Sequence, residues 1–372
     1  MDNKPKLLVY AVTWHEKRNL LFSRYLSDYF EVTIITRPDG DEKVFELIKP
    51  VKVIFVKFFF KNRTGLSFSL KFKKLIKKIE PAYVMTIETD SVSSYQSIKA
   101  AGRYNFKSVV FSWQNLDTFP KYFFRSFIQK KILKSSDYLI AGTSGTKNYL
   151  VKKHAEPGKI YINPETGYDE RIFTNAGNNL RKAWGLTADD IIVLYAGSFI
   201  KEKGIELILD AARKIEQVNP QIKFVFIGRG NLENRIKIYD SQNIHWRGFY
   251  DFSDMGDVFR TCNIFVYPSM STKYWSEPFG YSVVEAQVCG KPVIVTNSGN
   301  LPKLVKDGIN GSILEQQDGF DLVEKIFLWC DKLQIDSQTH EISANKFSGA
   351  NIALNYKRIL INKDQSFLNE WF

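Results

Sequence analysis

The sequence predicts an α/β protein built from two doubly wound parallel sheets, and three observations lead to this prediction. Short apolar runs alternate with longer helical patterns, as in successive βαβ units. The 372 residues are too many for one ordinary core and suit two domains of about 150–200 residues each. A polar, turn-prone segment, TGYDERIFTNAGNN at residues 166–179, separates the two sets of runs.

The apolar runs predict the strands in chain order. In the first half they are KLLVYAV, EVTIIT, VKVIFV, AYVMTI, KSVVFSW and DYLIAG, and in the second half IIVLYAG, KFVFIG, NIHWRG, NIFVYPS and KPVIVTN. Amphipathic segments between them, such as GIELILDAARKIEQV, predict helices. We therefore expect a first domain at residues 1–172, a second at 173–345 and a helical tail at 346–372. The tail ends with Phe367, Trp371 and Phe372, and whether it packs back on the first domain is left open.

Composition indicates a globular protein of a reducing compartment. Hydrophobic residues make up 44% and charged residues 25% of the chain. No run reaches the roughly 20 apolar residues that cross a bilayer, and MDNKPKLLVYAV is read as a first strand rather than a secretory signal. The three cysteines, Cys262, Cys289 and Cys330, show no metal-ligand spacing. We expect a cytoplasmic location.

The positive charge lies in the first half of the chain. Residues 1–175 hold 30 Lys/Arg against 17 Asp/Glu, whereas residues 176–372 hold 22 against 23. A basic half can meet nucleic acid, anionic lipid or an acidic substrate, and charge alone does not choose among them.

Two doubly wound sheets that face each other leave a cleft at the carboxyl ends of their strands, where ligands normally bind. No G-x-G-x-x-G follows the first strand, where residues 13–16 read Thr-Trp-His-Glu. This argues against a nicotinamide or flavin dinucleotide in the first domain, and no Walker sequence is present.

The most informative motif runs from Glu277 to Glu285 and follows the strand-like NIFVYPS. Gly280 lets the backbone approach a ligand, and the helix that begins after it presents unpaired N–H groups to an anion such as a diphosphate. The two carboxylates are unsuited to phosphate itself. They are suited to accept hydrogen bonds from sugar hydroxyls.

This motif resembles glycosyltransferase family 4, whose hallmark is two glutamates separated by seven residues after a Pro-Ser strand end. Further segments are similar to the family in the expected order over roughly residues 190–315, and the match is weaker in the first half. They are the phosphate loop at Gly197, Ser198 and Lys203, the next turn at Gly228, Arg229 and Gly230, and Gly248 beside the nucleobase position. The resemblance implies the GT-B fold, with two Rossmann-like domains facing across a cleft.

The resemblance also implies roles. As catalytic residues, Glu277 would contact the donor sugar and Lys203 would neutralise the diphosphate, while Glu285 would hold the ribose hydroxyls. The other donor-binding candidates are Phe279, Gly280, Tyr281, Gly197, Ser198, Arg229 and Gly248. The implied reaction is retaining hexosyl transfer from a UDP- or GDP-linked sugar, with no cofactor and no metal.

Two positions depart from the family pattern. Ser198 stands where the family usually has arginine, and Arg229 or Arg247 is a candidate substitute. In the first domain, Gln114 stands where the family often has a histidine. Glutamine cannot take up a proton, but it can bind a sugar hydroxyl. These departures leave open whether activity is reduced.

The acceptor-side candidates are His15, Trp113 and Gln114, with alternatives kept for two of them. His15 lies in a loop that lines the acceptor pocket or is merely solvated, and Trp113 binds the acceptor or only packs. Trp275 is a sugar platform or, as we prefer, a hydrophobic plug. Asp169 is interpreted as structural.

A basic amphipathic helix is predicted in LKFKKLIKKIEP. Phe72, Leu75, Ile76 and Ile79 share one face. The rest of the helix carries Lys71, Lys73, Lys74, Lys77 and Lys78. Near an anionic leaflet each lysine contributes at most about 1 kcal/mol. We predict peripheral association with an anionic membrane, on its cytoplasmic face, while the apolar face packs on the sheet; the alternative is that the lysines only keep the chain soluble.

The resulting hypothesis is a retaining glycosyltransferase with a saccharide or lipid-linked acceptor, in the synthesis of cell-surface polysaccharide, lipopolysaccharide or glycolipid. A nucleotide-sugar epimerase or a phosphorylase on the same two-domain plan is the enzymatic alternative. A basic nucleic-acid-binding protein is the non-enzymatic one, but it would have no use for Glu277 and Glu285, and no nucleic-acid partner is expected.

Overall fold

The computed structural model describes residues 4–38, 42–60, 64–116, 123–315, 319–335 and 343–364. The chain forms two compact units. The first unit ends at Asp169, against the predicted end at residue 172, and is completed by residues from Phe347 onward; the second is Glu170–Lys346. The predicted tail aromatics, Phe367, Trp371 and Phe372, lie outside the described residues.

The described part of the first unit contains a sheet of seven parallel strands in the order β3-β2-β1-β4-β5-β6-β7. The strands are β1 Lys6–Tyr10, β2 Glu31–Thr36, β3 Lys52–Phe55, β4 Tyr83–Ile87, β5 Lys107–Ser112, β6 Tyr138–Ala141 and β7 Ile160–Ile162. Most are short, nearly continuous apolar runs, as expected for strands covered on both faces. The order reverses between β1 and β4, which is a topological switch point.

The helices of the first unit alternate with its strands. They are α1 Lys17–Leu26, α2 Glu42–Leu47, α3 Phe72–Ile79, α4 Val92–Tyr104, α5 Phe123–Ser135 and α6 Ser144–Lys152, with α12 Gly349–Lys357 and a π-helical turn at Arg358–Asn362. Local sequence sets several starts: the side chains of Ser91, Thr143 and Ser348 each accept a backbone N–H at the beginning of α4, α6 and α12. Helix α12 packs on α1, where the Tyr356 and Phe22 ring centroids are 6.3 Å apart.

The second unit has a parallel sheet of six described strands in the order β10-β9-β8-β11-β12-β13. Its strands are β8 Ile191–Ala196, β9 Ile222–Ile227, β10 Ile244–Trp246, β11 Ile264–Tyr267, β12 Val293–Thr296 and β13 Gly311–Leu314. Its helices are α7 Ile205–Glu216, α8 Glu233–Ile238, α9 Met255–Thr261, α10 Tyr281–Val288 and α11 Gly319–Ile335. The order again reverses, between β8 and β11.

Each apolar run that predicted a strand contains one, so the prediction of two doubly wound α/β sheets is confirmed. Two strands were missed. Strand β7 has only three residues, and β13 begins with Gly311 and Ser312, which weaken the apolar signal. A Cβ on Gly311 would lie 2.0 Å from the Val293 carbonyl oxygen, so the close pairing with β12 requires glycine at this position. A glycine in turn interrupts the apolar run by which a strand is predicted. Within the described residues, no helix combines the length and the apolar character needed to span a bilayer.

Candidate donor site and first-unit polar cluster

The loop after β8 carries the predicted phosphate-binding residues of the second unit. Gly197 and Ser198 follow the strand directly, and a 3₁₀ turn, Lys201–Lys203, leads into α7. Gly204 has a φ of +71°, and a Cβ there would lie 2.1 Å from the Pro268 carbonyl oxygen. Glycine therefore allows this loop to lie against the residues that follow β11.

Lys203 and Glu277, the two predicted catalytic residues, form a buried ion pair. The Lys203 Nζ lies 2.5 Å from Glu277 Oε2, and the two side chains are only 13% and 7% exposed. The lysine also donates to the Tyr267 hydroxyl at 2.7 Å, and the Ser269 Oγ donates to Glu277 Oε2 at 2.9 Å. Charges this buried stay ionised only when they are paired, and each partner here satisfies the other. The structure thus brings the two residues together.

Aromatic rings enclose the lysine ammonium. Its Nζ is 4.9 Å from the Tyr267 ring centroid and 5.0 Å from that of Trp275, both within cation–π range. Trp275 therefore packs against the ammonium of Lys203. Its role as a hydrophobic plug or a sugar platform stays a prediction.

A second tyrosine connects this ion pair to the loop after β8. Tyr195 stacks on Tyr267 with ring centroids 6.0 Å apart and an interplanar angle of 11°, and its hydroxyl donates to the Ser198 carbonyl at 2.9 Å. Burial, reinforced by the negative charge of Glu277, raises the pKa of both tyrosines well above the usual value. Both hydroxyls therefore keep their protons at neutral pH.

The sequence reasoning missed Tyr195, Tyr267 and Ser269 as site residues. A signal was present, because Tyr195 is the last but one residue of β8 and Tyr267 is the last residue of β11, and both strands lie in the middle of the sheet. Side chains at the carboxyl ends of neighbouring parallel strands meet at one edge of the sheet.

The turns after β8, β9 and β10 are hydrogen-bonded to one another. Phe199 N donates to the Arg229 carbonyl at 2.9 Å, and Gly228 N donates to the Gly248 carbonyl at 2.8 Å. The structure therefore brings the predicted donor-binding residues Gly197, Ser198, Arg229 and Gly248 together on three adjoining loops.

Of the two arginines considered as substitutes at Ser198, the geometry favours Arg229. Its guanidinium lies 3.7 Å from the ring centroid of Phe249, which is 60% exposed. Arg247 instead donates to the Trp184 carbonyl at 2.8 Å, which holds it against the start of the second unit.

The loop before α10 has the conformation that the motif predicted. Gly280 has a φ of +98°, and α10 begins at the next residue, Tyr281, whose ring lies 4.7 Å from that of Phe279. Phe279 is 2% exposed, and Glu285, which lies on the helix itself, is also 2% exposed. Its contact with ribose hydroxyls stays a prediction.

In the first unit, the ring of His15 is half-buried and hydrogen-bonded at both nitrogens. Arg37 donates to its Nε2 at 2.8 Å, so that Nδ1 carries the proton and donates to the Val12 carbonyl at 2.9 Å. Asp169 accepts a hydrogen bond from the Tyr25 hydroxyl at 3.1 Å, in keeping with a structural role.

Trp113 and Gln114 follow β5 and are fixed by side chains from other strand ends. The Trp113 indole N–H donates to Glu165 at 2.9 Å, and the same carboxylate accepts the indole N–H of buried Trp14 at 2.7 Å. Gln114 Oε1 accepts from Thr89 and Gln129 at 2.9 and 3.0 Å, so a ligand could use only its amide NH₂. Glu165 was missed because the strand before it, β7, was itself not predicted.

A metal site is not evident: within the described ranges, no group of three or more His, Cys, Asp and Glu side chains is placed to hold an ion. The expectation of metal independence stays a prediction.

Comparison with known proteins agrees with this arrangement. Residues 177–347, nearly the whole second unit, match the profile of glycosyl transferases group 1. An uncharacterized glycosyltransferase of Methanocaldococcus jannaschii is 30% identical over 210 residues, which are 55% of this chain and 52% of that protein. The chain spans about half the length of the first curated relatives that it matches.

Solved structures extend the likeness to both units. Anabaena Alr3699/HepE in complex with UDP has a TM-score of 0.72 at 16% identity, covering 96% of this chain and 100% of that one. The chain has the GT-B fold. The sucrose-phosphate synthase of Thermosynechococcus elongatus has the same architecture, with a TM-score of 0.73 at 19% identity over 97% of this chain and 99% of that one. At these identities the likeness establishes the fold, and the chemistry must be argued from the site.

Proposed function

We propose that this GT-B protein is a retaining glycosyltransferase that moves a hexosyl group from a nucleotide sugar to a hydroxyl of an acceptor. The observation that carries the proposal is the buried Lys203–Glu277 pair beside the Gly197–Ser198 loop, inside the segment that matches group 1 glycosyl transferases. The similar Anabaena structure contains UDP, which supports a nucleoside diphosphate as the leaving group of the donor.

The chemistry follows from the partners of Lys203. An ammonium has three N–H donors, and Tyr267 and Glu277 take two of them. In our proposal the third donates to a diphosphate oxygen, and the charge of Lys203 stabilises the leaving group as the anomeric C–O bond breaks. Glu277 accepts a hydroxyl of the donor sugar, and Glu285 accepts the ribose hydroxyls. Retention of configuration follows if the acceptor hydroxyl attacks the anomeric carbon from the leaving-group face and its proton passes to the departing diphosphate oxygen.

The decisive experiment incubates the full chain with a panel of UDP- and GDP-linked sugars and measures nucleotide release. Release from at least one sugar, lost in Glu277→Gln, supports the proposal. Absence of release with every sugar, together with thermal stabilisation by oligonucleotides but not by UDP or GDP, would favour the nucleic-acid alternative.

We further propose that the acceptor is a saccharide or lipid-linked saccharide reached at the cytoplasmic face of an anionic membrane. The five lysines of the α3 region are all exposed, whereas Phe72 and Ile76 are 0% and 1% exposed and pack in the core. The lysine side chains of α3 are therefore free to meet a membrane surface while its apolar side chains pack in the core. Close in sequence lie exposed apolar side chains, Phe60 at 60% and Leu70 at 73%.

This second proposal is tested by flotation with liposomes that contain phosphatidylglycerol. Binding at low salt that weakens as salt is added supports it, since charges near the surface are screened within about 10 Å at 0.1 M salt. Equal binding to neutral phosphatidylcholine liposomes, or no binding at low salt, would contradict it.

A further inference from the structure

Glu88 is a carboxylate at the centre of the first unit that the donor site does not use. It directly follows β4, beside the switch point of the strand order, where ligands of doubly wound sheets normally bind. Trp14 and His15 follow β1 on the other side of that point. The side chain of Glu88 is half-buried.

The backbone of Glu88 adopts a conformation that residues with a side chain rarely take. Its φ is +69°, in the left-handed region, and its N–H donates to the Phe111 carbonyl at 2.7 Å. Conformations of this kind persist when surrounding contacts impose them, and they concentrate at functional sites. The strained turn aims the carboxylate at the end of the neighbouring strand β5.

The carboxylate of Glu88 holds the turn that carries the acceptor-side candidates. Oε2 accepts the Ser112 hydroxyl at 2.7 Å, and Oε1 accepts the Trp113 backbone N–H at 3.2 Å. The Ser112 oxygen in turn accepts the Gln114 backbone N–H at 3.1 Å. Glu88 therefore connects directly or through one hydroxyl to three consecutive residues.

The surroundings of Glu88 place its titration near neutrality. Burial, reinforced by the negative charges of Asp90 and Glu165, raises the pKa of its carboxyl to about 7, although the hydrogen bonds from Ser112 and Trp113 act to lower it. Asp90 is itself paired with Arg125 at 2.8 Å. Protonation of Glu88 places an O–H on one of its two carboxyl oxygens. On Oε2 this group donates to the Ser112 oxygen and reverses that bond, and on Oε1 it faces the Trp113 N–H and weakens that bond, so one of the two contacts with the turn changes in either case.

We propose that Glu88 is a positioning residue whose ionised carboxylate fixes the Ser112–Gln114 turn, and with it Trp113 and Gln114, in the arrangement needed for glycosyl transfer. The positioning of the turn by Glu88 rests on these contacts alone. The importance of that position for glycosyl transfer rests on the proposed function.

The first experiment follows intrinsic tryptophan fluorescence of the full chain between pH 5.5 and 8.5. We expect a transition near pH 7 that is lost in Glu88→Gln and in Trp113→Phe. Glu80→Gln is the matched control, since Glu80 is an exposed glutamate of the same unit that also has a positive φ, and it should keep the transition. No transition in the unmodified chain, or an unchanged one in a folded Glu88→Gln variant, overturns the proposal.

The second experiment measures nucleotide release against pH, with the sugar of the panel that is released fastest. We expect kcat to fall at least threefold from pH 8 to pH 6 while the donor KM changes less than twofold. In Glu88→Gln, kcat should be lower at pH 8 and flat over this range. Release that is independent of pH in the unmodified chain overturns the link to transfer. Absence of release with every sugar counts against the proposed function, and the fluorescence result then decides the role of Glu88 by itself.

Discussion

At the scale of single residues, Lys203 is the most constrained group of the donor site. Its ammonium lies close to two aromatic rings, donates to Tyr267 and pairs with Glu277. Both charged side chains of the pair are nearly buried. Removing one member of such a pair leaves the other charge buried, which costs about 3–5 kcal/mol. The same pair therefore contributes to stability and, in our proposal, to the reaction.

These two contributions can be separated by a double substitution. We expect Lys203→Met to lower nucleotide release at least 100-fold and to lower the free energy of unfolding by about 3 kcal/mol, because Glu277 loses its counter-charge. Adding Glu277→Gln removes that charge and should restore most of the stability but none of the activity. Urea unfolding and a release assay on the unmodified chain and on both variants measure both effects. Recovery of activity in the double variant would contradict the assigned role of Lys203.

Glu88 also predicts a pH dependence of stability. Its pKa in the folded chain, about 7, lies above the ordinary value of 4.5, so the unfolded chain loses this proton first as the pH rises. The free energy of unfolding therefore falls between pH 4.5 and 7 through this group. Glu88→Gln lacks the effect, and its stability relative to the unmodified chain should increase from pH 4.5 to pH 8. The increase is at most about 3 kcal/mol and smaller for a side chain that keeps some exposure. Denaturant unfolding at both pH values checks it, and a constant difference would contradict it.

Sequence reasoning named the residues of the candidate donor site that belong to a motif and missed the residues that contact them. Glu277 and Lys203 were named because each sits in a recognisable loop. Tyr195 and Glu88 were not, because their contacts join residues of different strands: Tyr195 reaches Tyr267, and Glu88 reaches Trp113. Such contacts depend on strand order, which a linear pattern does not contain.

At the scale of secondary structure elements, the strands were predictable where burial on both faces produced an apolar run. The two missed strands, β7 and β13, each form one edge of a described sheet and have only three and four residues. The opposite edge strands, β3 and β10, were predicted, so length and composition explain the misses: β7 is too short to form a recognisable run, and β13 begins with Gly311 and Ser312. Helix α3 was predicted correctly because its apolar residues repeat at helical spacing.

Helix α3 provides the test of membrane binding that isolates its charge. We expect Lys73→Gln, Lys74→Gln and Lys77→Gln together to weaken binding to phosphatidylglycerol liposomes by about 100-fold, since each lysine contributes about 1 kcal/mol. The matched control changes three exposed lysines of α5 in the same unit, Lys130, Lys131 and Lys134, to Gln. Equal weakening by both triple variants would indicate a general charge effect and not a surface centred on α3.

At the scale of the whole molecule, the charge asymmetry and the two units coincide. The first 175 residues carry the excess of Lys and Arg, whereas the residues after them are nearly balanced. In our proposals the basic unit meets the membrane and the balanced unit holds the nucleotide.

Ligand binding to the second unit should stabilise the full chain in a concentration-dependent way. We expect the better of UDP and GDP to raise Tm, with a stabilisation of about 2.7 kcal/mol when the nucleotide is at 100 times its Kd. Glu285→Gln should remove most of this shift because it weakens the hold on the ribose. The Tm of Glu285→Gln without nucleotide is the control, because it separates a loss of binding from a loss of stability. An undiminished shift in Glu285→Gln would remove that residue from the nucleotide site.

The first unit is assembled from both ends of the described chain. Helix α12 lies against α1, the Tyr83 hydroxyl donates to the Leu360 carbonyl at 2.7 Å, and the Asn355 amide donates to Asn163 at 3.3 Å. During synthesis on a ribosome, residues 4–169 emerge long before the helix that completes them. The second unit is continuous in sequence, so it can fold completely before the last helix of the first unit has been synthesised. This order is the reverse of the usual one, in which the N-terminal domain folds first. A nascent chain halted near residue 346 would present the uncovered side of α1, including Phe22, to chaperones.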